Sequence, residues 1–223
     1  YCKDINSTVV VGYIDFDYDN PPMLYNSAAV ISRGEIIFRQ NKTLLPGYDV
    51  FDEYRYFSPA TEWGVFELKG IKIGITICED IWAALSKDNS RFLDLRGYRL
   101  DPVKILKDKG ADLIINISAS PYIKGKRQIR MEMLRNISRE LNLSIIYVNQ
   151  VGGNDSLVFD GNSFCVNQKG ELYRHAKGFG EDLLVFDHNI GNELNSEVDD
   201  IDDIINALIL GLRDYMGKSG FKK

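Results

Sequence analysis

A thiol at the end of a strand is the first chemically suggestive feature of this sequence. Cys78 closes the run Lys72 to Cys78 and is followed at once by Glu79-Asp80-Ile81-Trp82, and α/β sheets display reactive groups at the carboxyl ends of their strands. Taken alone, a single cysteine reads better as a buried small hydrophobe. A free thiol has a pKa of about 8.5, so a nucleophilic role needs a base or a nearby cation. Histidine is a thin source, because only His175 and His188 occur, which leaves a papain-like Cys-His pair little support. A lysine with carboxylates is the better arrangement. Lys42 follows the run Glu35 to Arg39 directly, at the mouth of the same sheet if those strands run together, although it reads equally as a solvated surface charge.

The elements that must position these groups alternate between two periodicities. Thr8 to Ile14 is a β-branched run expected to form a buried strand, and it arrives as though the chain begins in mid-domain. Tyr25 to Ser32 and Glu35 to Arg39 flank Arg33-Gly34, a compact hairpin signal. Leu45 to Pro59 has no sustained period and reads as an ordered loop, with Pro46-Gly47 marking a turn. Strands are expected at Gly64 to Leu68, Lys72 to Cys78, Asp112 to Ile117 and Ser144 to Asn149. Helices are expected at Asp101 to Lys109, with Pro102 in the first turn, and at Lys126 to Leu141, with Met133, Ile137 and Leu141 on one face. Gly152-Gly153 lacks the spacing of a nucleotide loop and reads as a structural turn, and Leu157 to Val166 and Asp182 to Phe186 read as the last strands. Residues 189–203 are Asn- and acid-rich, and Ile204, Ala207, Leu208 and Leu212 then supply one helical apolar stripe. Such alternation describes an α/β layered sheet. The expected division is a domain over 1–188 and an acidic linker with a docking helix over 189–223.

Composition narrows the classes of function. At 223 residues and 44% hydrophobic, the chain can bury one sizeable core. A formal net charge of -5 gives no electrostatic reason for a nucleic-acid or anionic-membrane partner. No apolar run is long enough to span a bilayer. Cys2, Cys78 and Cys165 are widely spaced without a CxxC pair, which suggests neither a disulfide framework nor a thiolate metal site and fits a reducing cytoplasm.

Two longer blocks carry more information than any single residue. Lys42-Thr-Leu-Leu-Pro-Gly-Tyr48-Asp-Val-Phe-Asp-Glu53-x-Arg-Tyr-Phe57 and Ile-Cys78-Glu-Asp-Ile-Trp82 resemble the nitrilase-like glutaminase domain of NAD synthetases. The resemblance continues through Asn116-Ile-Ser-Ala-Ser120-Pro-Tyr122-x-x-Gly-Lys126, Tyr147-Val-Asn-Gln-Val-Gly-Gly153 and Val158-Phe-Asp-Gly161-x-Ser163-Phe164, and reaches the tail at Ala207 to Lys223. It covers nearly the whole chain.

The resemblance implies an α-β-β-α sandwich, present here without its N-terminal strand-helix portion. Cys78 is then the nucleophile and Lys42 the catalytic lysine. The catalytic Glu of the family belongs to a region ahead of the block that starts at Thr8. The backbone N–H of Glu79, with the Lys42 ammonium, forms the oxyanion site, and Glu53 supports Lys42, although Glu53 also reads as a solvated ion pair with Arg55. Tyr48, Ser120 and Lys126 correspond to contacts with the α-amino and carboxylate groups of L-glutamine. On their own residue types they read as packing, turn chemistry and a solvated helix opener. Tyr54, Tyr56, Phe57 and Trp82 are read as core. No metal or cofactor is expected in this domain. ATP and Mg²⁺ belong to a synthetase domain that would follow it, and self-association is implied. The competing readings are a stand-alone nitrilase-superfamily amidase and a non-catalytic oligomerising module. The Asp-Glu-x-Arg-Tyr-Phe and Cys-Glu-Asp-Ile-Trp blocks argue against the first.

Overall fold

The computed structural model describes residues 3–16, 23–48, 50–87, 98–185, 187 and 200–221. The chain divides into two compact units, Tyr1–Ile117 and Ser118–Lys223.

In the first unit, β1 (Val9–Phe16), β2 (Leu24–Ser32) and β3 (Glu35–Asn41) form an antiparallel sheet in that order. Arg33 and Gly34 both take positive φ, 51° and 83°, so the turn between β2 and β3 curls with the twist of its strands. Ala28, Ala29 and Val30 are buried on both faces of β2, and the sheet lies against β5 (Ile71–Ile77). The run Ile73 to Ile77 in β5 is wholly buried, the pattern of a strand covered on both sides. Beside it run β4 (Val65–Leu68), antiparallel, and β6 (Leu113–Ser118), parallel. Helix α1 (Pro102–Asp108) makes the crossover, capped where the Asp101 carboxylate accepts from the Lys104 amide at 3.1 Å. It packs close enough that a Cβ at Gly74 would lie 2.9 Å from Ile114 and 3.0 Å from Leu106. The layers of this unit are therefore sheet, sheet and helix.

In the second unit, α2 (Lys126–Leu141) packs on β7 (Ser144–Asn149) and β10 (Phe164–Val166). β10 pairs antiparallel with both β7 and β11 (Leu172–His175). The expected strand Leu157 to Val166 is two strands: β9 (Leu157–Asp160) ends where Gly161 and Asn162 take φ of 63° and 51°, which an extended ladder does not pass through. Gly152-Gly153 is not a turn. Both residues lie in β8 (Val151–Asn154), paired with β9. Their lack of side chains serves a close approach, since a Cβ at Gly153 would meet Gly211 Cα at 3.3 Å.

Gly211 belongs to α3 (Asp200–Lys218), which docks on this hairpin. Asp214 accepts from the Gly153 amide at 2.7 Å, and Lys218 donates to the Gly153 carbonyl. The docked face differs from the expected stripe. Ala207 and Leu210 are buried, whereas Leu208 and Leu212 are 69% and 62% exposed. An apolar period identifies a helix, but here both flanks of α3 are apolar and packing selects one. Residues 182–185 form no strand. Leu183 and Val185 stand 84% and 86% exposed, so nothing among the described residues covers the segment. Phe186, His188 and the acidic stretch 189–199 lie outside the described residues.

Candidate active site

Cys78 sits where β5 ends and a 3-10 turn begins, with φ at 45°. A left-handed conformation at a residue with a side chain costs about 1–3 kcal/mol and clusters at functional sites. It turns the chain sharply, so that Cys78 is half-exposed while Ile77 before it and Ile81 after it are buried.

Lys42 is not a surface charge. Its side chain is 1% exposed and its ammonium lies 2.6 Å from Glu53 Oε1. Two backbone bonds fix its position, Lys42 N–H to the Asn26 carbonyl and Ala60 N–H to the Lys42 carbonyl, both 2.8 Å. An unpaired ammonium buried this deeply would cost several kcal/mol, which makes Glu53 its necessary counterion. Arg55 turns instead to Asp52, 3.8 Å away on the surface, so the solvated Glu53–Arg55 pair does not form. The second Glu53 oxygen, Oε2, is buried without a hydrogen-bond partner. The turn at Glu53–Arg55 faces Glu53 inward and leaves Tyr54 and Tyr56 61% and 59% exposed. Of the aromatics expected in the core, Trp82 is buried and those two are not.

Asp80 is the residue that motif reading passed over. Its Oδ1 accepts from the Thr43 and Leu44 amides at 2.9 and 2.7 Å, and its Oδ2 accepts from the Ile77 amide at 3.0 Å. One carboxylate thus staples the segment following Lys42 to the residue preceding Cys78. Burial pushes Asp80 up to about 6, against the pull of these three donors and of Lys42. The signal in the sequence was a carboxylate directly before the apolar Ile81-Trp82 pair, at a strand end where a buried acid is tolerated only when it is fully bonded.

Glu79, also buried, is gripped by two phenols: Tyr48 Oη donates to Oε2 and Tyr98 Oη to Oε1, both at 2.9 Å. The Tyr48 hydroxyl therefore faces the residue next to the thiol. In the second unit, Ser120 is 2% exposed, and both its backbone groups are bound by the Asn149 amide. Lys126 opens α2 and turns its ammonium back to the Pro121 carbonyl at 3.2 Å. The first unit thus gathers Lys42, Tyr48, Glu53, Cys78, Glu79 and Asp80, and the second carries Ser120 and Lys126. Burial lowers His175, whose Nε2 is buried and unpartnered, to about 4, so its imidazole is neutral at physiological pH. Among the described residues no group of three or more His, Cys, Asp or Glu side chains is arranged to hold a metal, and no helix is long and apolar enough to cross a membrane.

Layered sheets and helix, with a thiol at a strand end joined through one carboxylate to an ion-paired lysine, define the nitrilase-like class of hydrolase. The family model for carbon-nitrogen hydrolases matches residues 1–191, and the chain belongs to that family. Among its relatives, the glutamine-dependent NAD(+) synthetase of Synechocystis sp. is 41% identical over 90% of this chain and 36% of its own length. The Thermotoga maritima enzyme of the same name is 34% identical over 100% of this chain and 42% of its own. The chain thus spans well under half the length of these relatives. The glutamine-dependent NAD+ synthetase of Acinetobacter baumannii, solved with ADP, superposes with a TM-score of 0.84 at 38% identity, over 96% of this chain and 38% of that one. A nitrilase-superfamily amidase from Nesterenkonia superposes at 0.65 with 19% identity, over 80% of this chain and 60% of its own, a likeness of fold.

Proposed function

We propose that this chain is the glutamine-hydrolysing part of a glutamine-dependent NAD synthetase. Cys78 attacks the side-chain carboxamide carbon of L-glutamine, and its thiol proton goes to a general base, which the family resemblance assigns to a glutamate ahead of Thr8. The tetrahedral oxyanion is met by the Lys42 ammonium and the Glu79 backbone N–H. Collapse expels the amide nitrogen as ammonia, carrying the proton the base returns. Water then attacks the Cys78 thioester, releasing glutamate and regenerating the thiol.

The observation that supports this most is the buried Lys42–Glu53 pair, joined through Asp80 to the strand end that presents a half-exposed cysteine. Glu53 orients Lys42 through one of its two oxygens. For Ser120 and Lys126 as readers of the substrate α-groups, the support is the motif match, and a cation at Lys126 suits a carboxylate. Tyr48, bonded to Glu79, contributes from the same wall as the nucleophile. In the whole enzyme the ammonia feeds ATP-dependent amidation of nicotinic acid adenine dinucleotide. ATP and Mg²⁺ serve that second step, and no residue of this chain is assigned to them. Self-association and a reducing cytoplasmic setting belong to the same reading, the latter because a thiolate nucleophile must stay reduced.

Ammonia and glutamate release, measured with glutamine, asparagine and a simple nitrile, tests it. Turnover of glutamine in preference to the others, abolished by Cys78→Ala in the full-length protein, is the expected result. Equal activity in the Cys78→Ala protein refutes it.

A further inference from the structure

The second unit holds a buried polar chain that the reaction scheme above does not use. Arg130, from the middle of α2, and Asp160, at the end of β9, are each 1% exposed and paired at 2.8 Å. Arg130 also donates to the Tyr147 hydroxyl at 3.0 Å, its guanidinium 5.1 Å from the centroid of that ring. The Asp160 oxygen bonded to Arg130 accepts from Asn162 Nδ2 at 2.9 Å, and its other oxygen accepts from Asn149 Nδ2 at 3.2 Å. Asn149, closing β7, in turn binds both backbone groups of Ser120: Oδ1 accepts from the amide at 2.9 Å and Nδ2 donates to the carbonyl at 3.3 Å.

A buried ion pair is a poor device for stability alone, since apolar side chains of similar volume do as well or better. What this one accomplishes is orientation. An Asn amide has two orientations of nearly equal shape. In the reverse one, Asn149 would set its NH₂ against the Ser120 N–H and its oxygen against the Asp160 carboxylate. Asp160 thereby reinforces the orientation that binds Ser120 on both sides, and Arg130 holds the Asp160 carboxylate aimed. The segment that follows is tied down by bonds of its own. Tyr122 N–H bonds the Val158 carbonyl at 2.7 Å, one strand position from Phe159, and Lys126 bonds the Pro121 carbonyl.

We propose that Asn149, oriented by the buried Arg130–Asp160 pair, is a positioning residue that holds Ser120, at the head of the Ser120–Lys126 segment, for recognition of the substrate's α-amino and carboxylate groups. The inference rests on the glutaminase reading and adds specificity determinants to it. The clamp governs binding of the amino-acid end of the substrate and leaves the intrinsic reactivity of Cys78 untouched.

The test uses the full-length protein and its Asn149→Asp, Asp160→Asn and Asn149→Asp/Asp160→Asn variants. Steady-state glutamine hydrolysis is read together with the rate of Cys78 alkylation by iodoacetamide, which has no α-groups. Losing the two-sided clamp is expected to raise KM for glutamine about 10-fold or more in each single variant, with kcat within about 3-fold. Alkylation of Cys78 is expected at the wild-type rate with the buried Cys165 still spared, which also reports that the variants are folded. The double variant restores a donor-acceptor match between the two positions without adding a buried charge, but a carboxylate at 149 has no N–H for the Ser120 carbonyl, so its KM is expected to stay raised. An unchanged KM in the single variants, a loss confined to kcat, or a double variant that regains the wild-type KM overturns the inference while wild-type turnover leaves the glutaminase reading standing. A wild-type protein that leaves glutamine intact overturns both.

Discussion

Two cysteines of this chain lie in or just beyond a strand, and they differ in burial and in backbone conformation. Cys165 lies in the middle of β10, paired with β7 on one side and β11 on the other, 2% exposed, and burial pushes its thiol up to about 12. Cys78 lies one residue past the end of β5, in a left-handed turn, half-exposed, with a stapled carboxylate two residues on. The ladder at Cys165 uses up the backbone and closes both faces. The turn at Cys78 leaves that residue half-exposed at the end of the strand. Position along a strand, rather than residue type, separates a packing cysteine from a candidate nucleophile.

The comparison breaks most decisively by exchanging the thiols. Cys78→Ala is expected to lower kcat for glutamine hydrolysis by about 10⁴-fold or more. Cys165→Ala, which empties only a small buried volume, should leave kcat within about 3-fold and cost stability of about 1–2 kcal/mol. Comparable losses in both proteins, measured by glutamate release and thermal unfolding, would erase the distinction.

Next in size is the cation. Lys42→Met keeps most of the volume and removes the charge, and should cost about 10²–10³-fold in kcat. Glu53→Gln leaves Lys42 in place but unpaired, and should cost about 10–100-fold. If the Glu53 variant proves worse than the Lys42 variant, Glu53 acts directly rather than through Lys42.

A smaller effect sharpens the contrast without any mutation. Iodoacetamide applied to the native protein should label Cys78 and spare Cys165, as peptide mass spectrometry reads it. Labelling of Cys165 should begin only when the protein unfolds. Equal labelling of the two under native conditions would mean that β10 opens as readily as the turn at Cys78.

The smallest effect separates the two units by pH. His175, lowered to about 4 by burial, takes up a proton in the unfolded chain near its ordinary value of 6.5 but resists it when folded. Stability should therefore fall as pH drops from about 6.5 to 4. Asp80, raised to about 6, acts in the opposite sense: the folded protein binds its proton more tightly than the unfolded chain, so its contribution grows as pH falls from about 6 toward 4. Denaturant unfolding at pH 7 and 4.5 reads the sum. In His175→Gln the loss on acidification should shrink, and an unchanged slope would remove His175 from the account.

Much of the scaffold was legible because local rules decide it. The Arg33-Gly34 hairpin, the Asp101-Pro102 helix start, and the bounds of α2 and β7 follow from turn chemistry, capping and period. The misreadings share one cause. Gly152-Gly153 looked like a turn and is a strand, because the reason for two glycines is the approach of α3 from about sixty residues away in sequence. Leu183 and Val185 alternate like a strand and pair with nothing described, and the apolar residues of α3 outnumber those its docking face can bury.

By itself the sequence determined which residue types stand at strand ends and turns. That was enough to single out Cys78, Lys42 and the blocks around them. Only the tertiary structure decided what each polar group bonds. It set Glu53 on Lys42 rather than beside Arg55, both tyrosines on Glu79, Asp80 on three amides, and Asn149 on Ser120. The partners of these groups lie up to 37 residues away. A buried polar atom must be satisfied wherever the fold brings a donor, and no local rule states where that is.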